Sequence, residues 1–318
     1  MKDTILTLGI DTSNYTTSVA LVADGRVISN RKIPLPVEEG QRGLRQSDAV
    51  FAHTKNLPGI MAEVGRDIGV ETPDAIGYSG TPRNIEGSYM PCFLSGAAAA
   101  HAAAAVSGAE IYAFSHQEGH VTAALYSAGM LSLLDGGDPF AAFHVSGGTT
   151  DILLVTPGGD RMEIERIGGT TDLNAGQLID RVGVMMGERF PCGPALERMA
   201  ADMPAASGIK ASVRGLDCSL SGAENKAREQ FEKTSDRAAV ASFTLDFVTA
   251  TLDALTAELR RRYDGIPVIY AGGVMSCKRM RGVLGRRDGV YFAKPEFSAD
   301  NAAGIALLAY RKYTKERT

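Results

Sequence analysis

The sequence predicts an α/β fold made of two similar lobes, and three observations carry that expectation. The chain has 318 residues, about twice the length of a typical single domain. Short apolar strand-like runs alternate with helix-period segments, the pattern of sheets covered by helices. Two stretches, TTSVALV at 16–22 and TTDILLV at 149–155, match in pattern at an offset of 133 residues, so the second half echoes the first.

Ile5 to Asp11 is apolar and reads as a buried strand, followed by a turn at Thr12 to Tyr15. A second strand over Thr16 to Val22, a turn at Asp24-Gly25 and a third strand over Val27 to Arg31 make an antiparallel meander. In the second half, Ala141 to Val145 leads through Ser146-Gly147-Gly148 into Thr149 to Val155, with Gly158-Gly159 as the next turn. Helical periodicity is expected roughly over 47–65, 89–106, 116–127, 174–187, 193–202, 222–233, 236–262 and 298–312. Short strands are expected near 74–79, 110–114, 266–271 and 289–292. No proline- or serine-rich linker separates the halves, so close packing around a cleft is expected.

Composition narrows the class. Lys and Arg total 33, Asp and Glu 37, the net charge is −4, and 44% of residues are apolar. This excludes a disordered chain, a collagen-like repeat, a disulfide-stapled miniprotein and a uniformly basic nucleic-acid coat. Cys92, Cys192, Cys218 and Cys277 are scattered without a C-x-x-C pair, which points to a reducing compartment and away from a cysteine metal knuckle. The N-terminus runs straight into a strand without a signal-peptide pattern. The alanine-rich run from Phe93 to Phe114 carries His101, Ser107, Gly108 and Glu110, so it reads as a buried helix rather than a membrane span. A cytoplasmic protein without a membrane partner is expected. From Arg260 onward there are 13 basic and 5 acidic residues. That local balance of +8 reads either as solvated helix faces or as a docking region for a phosphate-rich partner.

Three loops share one chemistry. Asp11-Thr12-Ser13 follows the first strand, Ser146-Gly147-Gly148-Thr149-Thr150 follows its counterpart, and Ala271-Gly272-Gly273-Val274 follows the strand ending at Tyr270. Glycine lets backbone N–H groups approach an anion, and Ser and Thr add hydroxyl donors. The last loop is expected to precede a helix N-terminus, which also favours negative charge. Each loop alone could be only a turn; together they point to a nucleotide held between lobes. No G-x-x-x-x-G-K-[ST] occurs, so a P-loop enzyme is excluded.

His116 and His120 stand four residues apart on an expected helix, which puts both rings on one face. They read either as a metal pair or as rings lining the helix. A zinc-peptidase motif needs glutamate directly after the first histidine, and Gln117 is there instead. Asp300 stands at the expected start of the last helix. It either complements the helix dipole or completes a two-histidine, one-carboxylate set suited to iron(II) or zinc. His53, His101 and His144 have no comparable grouping and read as structural.

With these motifs in order, the chain resembles the tRNA N6-threonylcarbamoyladenosine transferase family, once called O-sialoglycoprotein endopeptidases. The resemblance runs through Gly9-Ile10-Asp11-Thr12-Ser13, Arg45-Gln46-Ser47 leading to His53, and the H-x-x-x-H at 116–120. It continues through Val145-Ser146-Gly147-Gly148, Ala175 to Arg181, Phe190-Pro191-Cys192-Gly193-Pro194 and Ser219-Leu220-Ser221-Gly222. Ala271-Gly272-Gly273-Val274 and Ser298-Ala299-Asp300-Asn301 complete it.

The resemblance implies two duplicated lobes of the actin, Hsp70 and sugar-kinase class, ribonuclease H-like, around a nucleotide cleft. The lobes would span 1–130 and 131–299, with the C-terminal helix of 300–318 packing back on the first. It implies one divalent metal, iron(II) or zinc, on His116, His120 and Asp300. Val145, Ser146, Gly147, Gly148 and Thr149 would cradle the phosphate. Asp180, Gly193 and Glu197, with Gly272, Gly273 and Cys277, would complete the site for threonylcarbamoyl-AMP or ATP/ADP, and Asp11, Thr12 and Ser13 are further cleft candidates. The implied reaction moves a threonylcarbamoyl group onto N6 of the adenosine beside the tRNA anticodon. The implied partners are tRNA, other proteins of the threonylcarbamoyladenosine pathway, and a heterodimer through the N-terminal lobe.

The chain departs from the family pattern at Asn14-Tyr15-Thr16 (usually Cys-Asp-Glu), at Thr149 (histidine), Gln177 (glutamate) and Cys277 (asparagine), and at Gly80-Thr81-Pro82-Arg83 (Gly-Pro-Gly). That is the pattern of a divergent paralogue. Transfer of a carbamoyl-type group to another acceptor, and a non-catalytic nucleotide- or tRNA-binding partner, are the alternative functions. A metallopeptidase stands behind both.

Overall fold

The computed structural model describes residues 4–13, 15–36, 44–69, 71–159, 161–205, 208–298 and 302–317. In chain order the elements are β1 (Leu6–Ser13), β2 (Thr16–Ala23), β3 (Arg26–Pro34), α1 (Gln46–Ile68), β4 (Ala75–Thr81), α2 (Phe93–Ser107), β5 (Glu110–Ser115) and α3 (His116–Ala128). Then come β6 (Phe140–Val145), β7 (Thr150–Thr156), β8 (Glu163–Thr170), α4 (Ala175–Met185), α5 (Gly193–Met199), β9 (Val213–Arg214), β10 (Asp217–Cys218), α6 (Ser221–Thr234) and α7 (Arg237–Arg262). The chain closes with β11 (Val268–Ala271), α8 (Lys278–Leu284), β12 (Val290–Phe292) and α9 (Ala303–Lys315).

The chain divides into two compact units. One comprises Met1–Leu131, Gly158–Glu163 and Glu296–Thr318; the other comprises Ser132–Pro157 and Ile164–Pro295. The first holds a five-stranded sheet in the order β3-β2-β1-β4-β5 and the second a seven-stranded sheet in the order β12-β11-β6-β7-β8-β10-β9. In each, a central strand pairs antiparallel with the next strand in sequence: β1 with β2, and β6 with β7. On its other edge it pairs parallel with a later strand, β4 or β11, which pairs parallel with β5 or β12. The registers coincide at the sequence offset, since Asp11 faces Ser18 and His144 faces Asp151. Duplication therefore extends from pattern to pairing.

All eight residues of β1 are buried, because helices cover both of its faces. Leu8 and Ile10 join Leu57, Ile60 and Ala104 in one core, as strand alternation requires. On the opposite face the backbone of α9 lies against β1. A Cβ at Gly9 would come within 2.5 Å of Ala302 O and Ala306 N, so only glycine admits the helix there. The Thr7 hydroxyl donates to Ala306 O at 2.9 Å. The core of the second unit gathers Phe143, Ile152, Leu178, Leu196, Leu245, Leu252 and Tyr270. Helix α7 is long and apolar enough to cross a membrane by length and composition, and its Leu245, Val248, Leu252, Leu255 and Leu259 belong to that core.

Several boundaries differ from the sequence expectation. The last helix begins at Ala303, not 298, after a 3-10 turn over Pro295–Phe297. The second begins at Phe93, not 89, since Pro91 disfavours helical backbone at Met90 before it. The expected helix after Gly272-Gly273 is a 3-10 turn over Gly273–Ser276, with Met275 N donating to Gly272 O at 3.0 Å. Helix α8 follows only at Lys278.

Candidate functional site

In the first unit, the end of β1 meets the start of α3. Ser115 caps α3 in a reciprocal box. Its hydroxyl accepts from Glu118 N at 3.2 Å, and Glu118 Oε2 accepts from Ser115 N at 2.8 Å. That box starts the helix at His116 and stacks His120 one turn above it. The two Nε2 atoms lie 2.9 Å apart with ring centroids 4.3 Å apart. Asp11 Oδ2 accepts from His116 Nδ1 at 2.6 Å. A carboxylate only accepts, so Nδ1 carries the proton, and in the neutral imidazole the His116 Nε2 lone pair faces His120.

Asp11 is 1% exposed, and its Oδ1 accepts from Ser13 N at 2.8 Å, so the carboxylate is fixed at both oxygens. Thr12 is used differently: its hydroxyl donates to Cys92 O at 3.0 Å and accepts from Gly96 N at 3.1 Å, pinning α2. Glu118 is spent. Its Oε2 also accepts from Ser115 Oγ at 2.9 Å, and its Oε1 accepts from Met162 N at 3.2 Å. A saturated buried carboxylate cannot serve as the base of a peptidase, and that reading is dropped.

Gly119 admits a close neighbour. A Cβ there would lie 2.8 Å from Ile305 Cδ1 of α9. At Gly304 a Cβ would meet Gly119 O at 1.8 Å, so α3 and α9 touch backbone to backbone beside the imidazole pair. Asp300 lies outside the described residues, as does Asn14. Among the described residues no group of three or more His, Cys, Asp or Glu forms a metal cluster.

In the second unit the predicted nucleotide residues fall on neighbouring loops and helix starts. The turn after β6 is closed by Ser146 N donating to Thr149 O at 2.7 Å and by Gly148 N and Thr149 N donating to Ser146 Oγ. Helix α4 abuts it: Gly176 N donates to Ser146 O at 3.1 Å, and a Cβ at Gly176 would lie 2.6 Å from Gly147 Cα. Gly272, at φ 101°, presses on Val145 from the other side, where a Cβ would meet Val145 O at 2.2 Å. Gly147, Gly148, Gly193 and Gly273, by contrast, face open space; no packing demands glycine there, and a ligand backbone could approach.

Asp180 on α4 accepts from Cys192 N at 2.8 Å, one residue before Gly193, and burial raises its carboxyl above the usual range. Glu197 Oε1 accepts from Lys278 N at 2.7 Å. Burial pushes the neighbouring Cys277 thiol up to about 11, so it is neither nucleophile nor thiolate ligand. Gln177 takes the third position of the α4 capping box, accepting from Asn174 N at 3.1 Å. The amide does there what a glutamate would do.

Sequence reasoning missed Asp172. Its carboxylate accepts from Ser219 Oγ, Leu220 N, Ser221 N and Ser221 Oγ at 2.5–3.2 Å, tying the start of α6 to the segment before α4. The Ser-Leu-Ser-Gly motif was visible, but nothing local named its partner. The arginines of the C-terminal clusters are largely paired with carboxylates, several of them at the exposed surface. Arg261 and Arg262 pair with Glu258, Arg279 with Asp246, Arg287 with Asp253, and Arg317 with Glu110. Arg281 donates to Ala293 O and lies over the Phe292 ring. The pairing favours the solvated-face reading for these side chains over a ready phosphate-binding patch.

The family model for tRNA N6-adenosine threonylcarbamoyltransferase (TsaD) matches residues 30–307. A Thermus thermophilus protein of that name is 30% identical over 97% of this chain and 93% of its own length. One from Brucella anthropi is 30% identical over 97% and 90%. A probable bifunctional tRNA threonylcarbamoyladenosine biosynthesis protein of Methanothermobacter thermautotrophicus is 28% identical over 97% of this chain and 56% of its own. The fold is also that of component A of the Acidaminococcus fermentans (R)-2-hydroxyglutaryl-CoA dehydratase, with a TM-score of 0.55 at 16% identity over 98% of this chain and 99% of that one. The two units are α/β lobes that repeat one pattern of strand pairing, and that fold is shared with component A. With a match running through both, the chain belongs to the tRNA N6-adenosine threonylcarbamoyltransferase family.

Proposed function

We propose that this protein is a metal-dependent enzyme that transfers a threonylcarbamoyl group from threonylcarbamoyl-AMP to N6 of the adenosine beside the tRNA anticodon. Family membership supports the reaction class. The observation that carries the metal reading is the imidazole pair, with Nε2 atoms 2.9 Å apart and one ring fixed by Asp11. In a tetrahedral zinc site, bonds of about 2.0–2.1 Å put adjacent nitrogens about 3.3–3.4 Å apart, so the pair has only to open by about half an ångström to admit the ion. An Nδ1–H held by a carboxylate is the usual outer partner of a metal-binding histidine.

His116, His120 and Asp300 would hold the ion, iron(II) or zinc. Asp300 stands four residues before Gly304, so extended chain reaches at most ~14 Å from the contact beside Gly119. When bound, the ion polarises the carbamoyl carbonyl and neutralises charge developing on it.

The chain's own residues do the rest. Asp11 keeps the His116 proton on Nδ1, leaving Nε2 free of it. The open faces of Gly147 and Gly148 let a phosphate approach the loop backbone. Asp180 would accept from ribose hydroxyls, with Gly193 and Glu197 beside it. The amine nitrogen bonds to the carbamoyl carbon, that carbon's bond to the adenylate phosphate oxygen breaks, and AMP and one proton leave.

Transfer to a different acceptor is the second reading, favoured by Thr149 and Cys277. Docking through the first unit would use α1 and α2, which pack together and expose Phe51, Leu94 and Val106. Pathway proteins are the partners the family suggests. The deciding experiment expresses this gene alone in a strain lacking its threonylcarbamoyltransferase. Return of the modified nucleoside to tRNA, and its absence with His116→Ala, are expected. No return with wild type sinks the tRNA reading; iron or zinc absent from purified wild type sinks the metal reading.

A further inference from the structure

We infer that His53 is a positioning residue for the His116–His120 pair, acting through Ser13 and Asp11. Its second readout below rests on the metal reading; its first does not.

His53 sits on α1 with 0% exposure, where the neighbouring core positions Leu57 and Ile60 are aliphatic. Asn56 Nδ2 donates to Thr17 Oγ1 at 3.1 Å, and the same hydroxyl lies 2.8 Å from His53 Nδ1, so the ring is hydrogen-bonded on that side. Burial lowers the pKa of this imidazole and keeps it neutral.

Thr17 faces Thr12 across the β1–β2 ladder, so the ring bonds a residue opposite the corner between Asp11 and Ser13, and its Nε2 has no hydrogen-bond partner there. The Ser13 hydroxyl, 3% exposed, also has no hydrogen-bond partner. Leaving two buried polar atoms in this state is costly, and an aliphatic residue at 53 would remove one of them. What the imidazole holds is the corner at 11–13. Ser13 N donates to Asp11 Oδ1, and Asp11 Oδ2 accepts from His116 Nδ1. A shift of Ser13 therefore moves the carboxylate that sets the tautomer and tilt of His116.

The test compares wild type, His53→Leu and His53→Gln, with thermal melts confirming that each is folded. The first readout is solvent exchange of the His116 Nδ1 proton by NMR in metal-free protein. The second is zinc affinity by chelator competition. His53→Leu is expected to speed the exchange and weaken zinc by about tenfold, the lower end for lost outer-shell support. His53→Gln, which keeps a donor and an acceptor, should recover most of both. In an Asp11→Asn background, His53→Leu should change neither.

A residue that only fills the core would lower the melting temperature and leave exchange and zinc affinity alone; that result overturns the inference. So does an equal effect of His53→Leu with and without Asp11. If wild type takes up no zinc or iron, the metal reading fails and proton exchange alone decides the role of His53.

Discussion

Gly304→Ala tests the contact that carries the imidazole helix. A methyl group there would lie 1.8 Å from Gly119 O and 2.9 Å from Ala123 N, both backbone atoms of α3. No rotamer can relieve such an overlap, so α3 and α9 must part by more than ~1 Å. Overpacking of this kind costs up to ~3 kcal/mol or more, and alanine's better helix propensity returns at most ~1. A net loss of about 2 kcal/mol corresponds to a fall of roughly 4–8 °C in melting temperature for a unit of this size.

Gly65→Ala supplies the control. It makes the same chemical change inside α1, where an added Cβ meets nothing within 4 Å, and should gain ~0.5–1 kcal/mol. Calorimetry on both variants reads the two signs directly. If Gly304→Ala melts at or above wild type, the backbone contact between α3 and α9 is wrong.

Two further outcomes are expected. Burial alone would raise the Asp172 carboxyl, but bonds from Ser219, Ser221, Leu220 N and Leu173 N outweigh it and hold it well below the usual range. Its contribution to stability is thus present above the unfolded pKa of about 4 and is lost as pH falls towards the folded value. Asp172→Asn should lower the urea midpoint at pH 7 and flatten its decline below pH 4; an unchanged acid profile would refute the clamp. Cys277, with its thiol pushed up to about 11, should react with iodoacetamide at pH 8 roughly two orders of magnitude more slowly than the unfolded chain. Equal rates in native buffer and urea would contradict its burial beside Glu197.

Much of the fold was legible in the sequence. The meander, the second strand pair, most helices and the duplication follow from alternation, helical period and turn residues, all of which act within a few positions. The strand over Glu163–Thr170 was missed because its Glu, Arg and Gly residues dilute the alternation of Ile164 and Ile167. The helix expected directly after Gly272-Gly273 starts only at Lys278, because a 3-10 turn over Gly273–Ser276 comes between.

By itself the sequence determined the local pieces of the site: two histidines one helical turn apart, glycine turns after strands, and the residues that cap α3 and α4. Tertiary structure decided what those pieces meet. Asp11 reaches His116 across 105 positions only because β1 and β5 share a sheet with β4 between them, which brings the end of β1 to the start of α3. The arginines of the C-terminal third were countable, and Glu258 pairs with Arg261 and Arg262 within one helix, but Asp246 and Asp253, the partners of Arg279 and Arg287, come from a helix that packing brings opposite them. Backbone preference is a short-range property and can be read along the chain. Which polar group satisfies which is set by the order of strands and the closeness of helices, and those are settled only when the whole core forms.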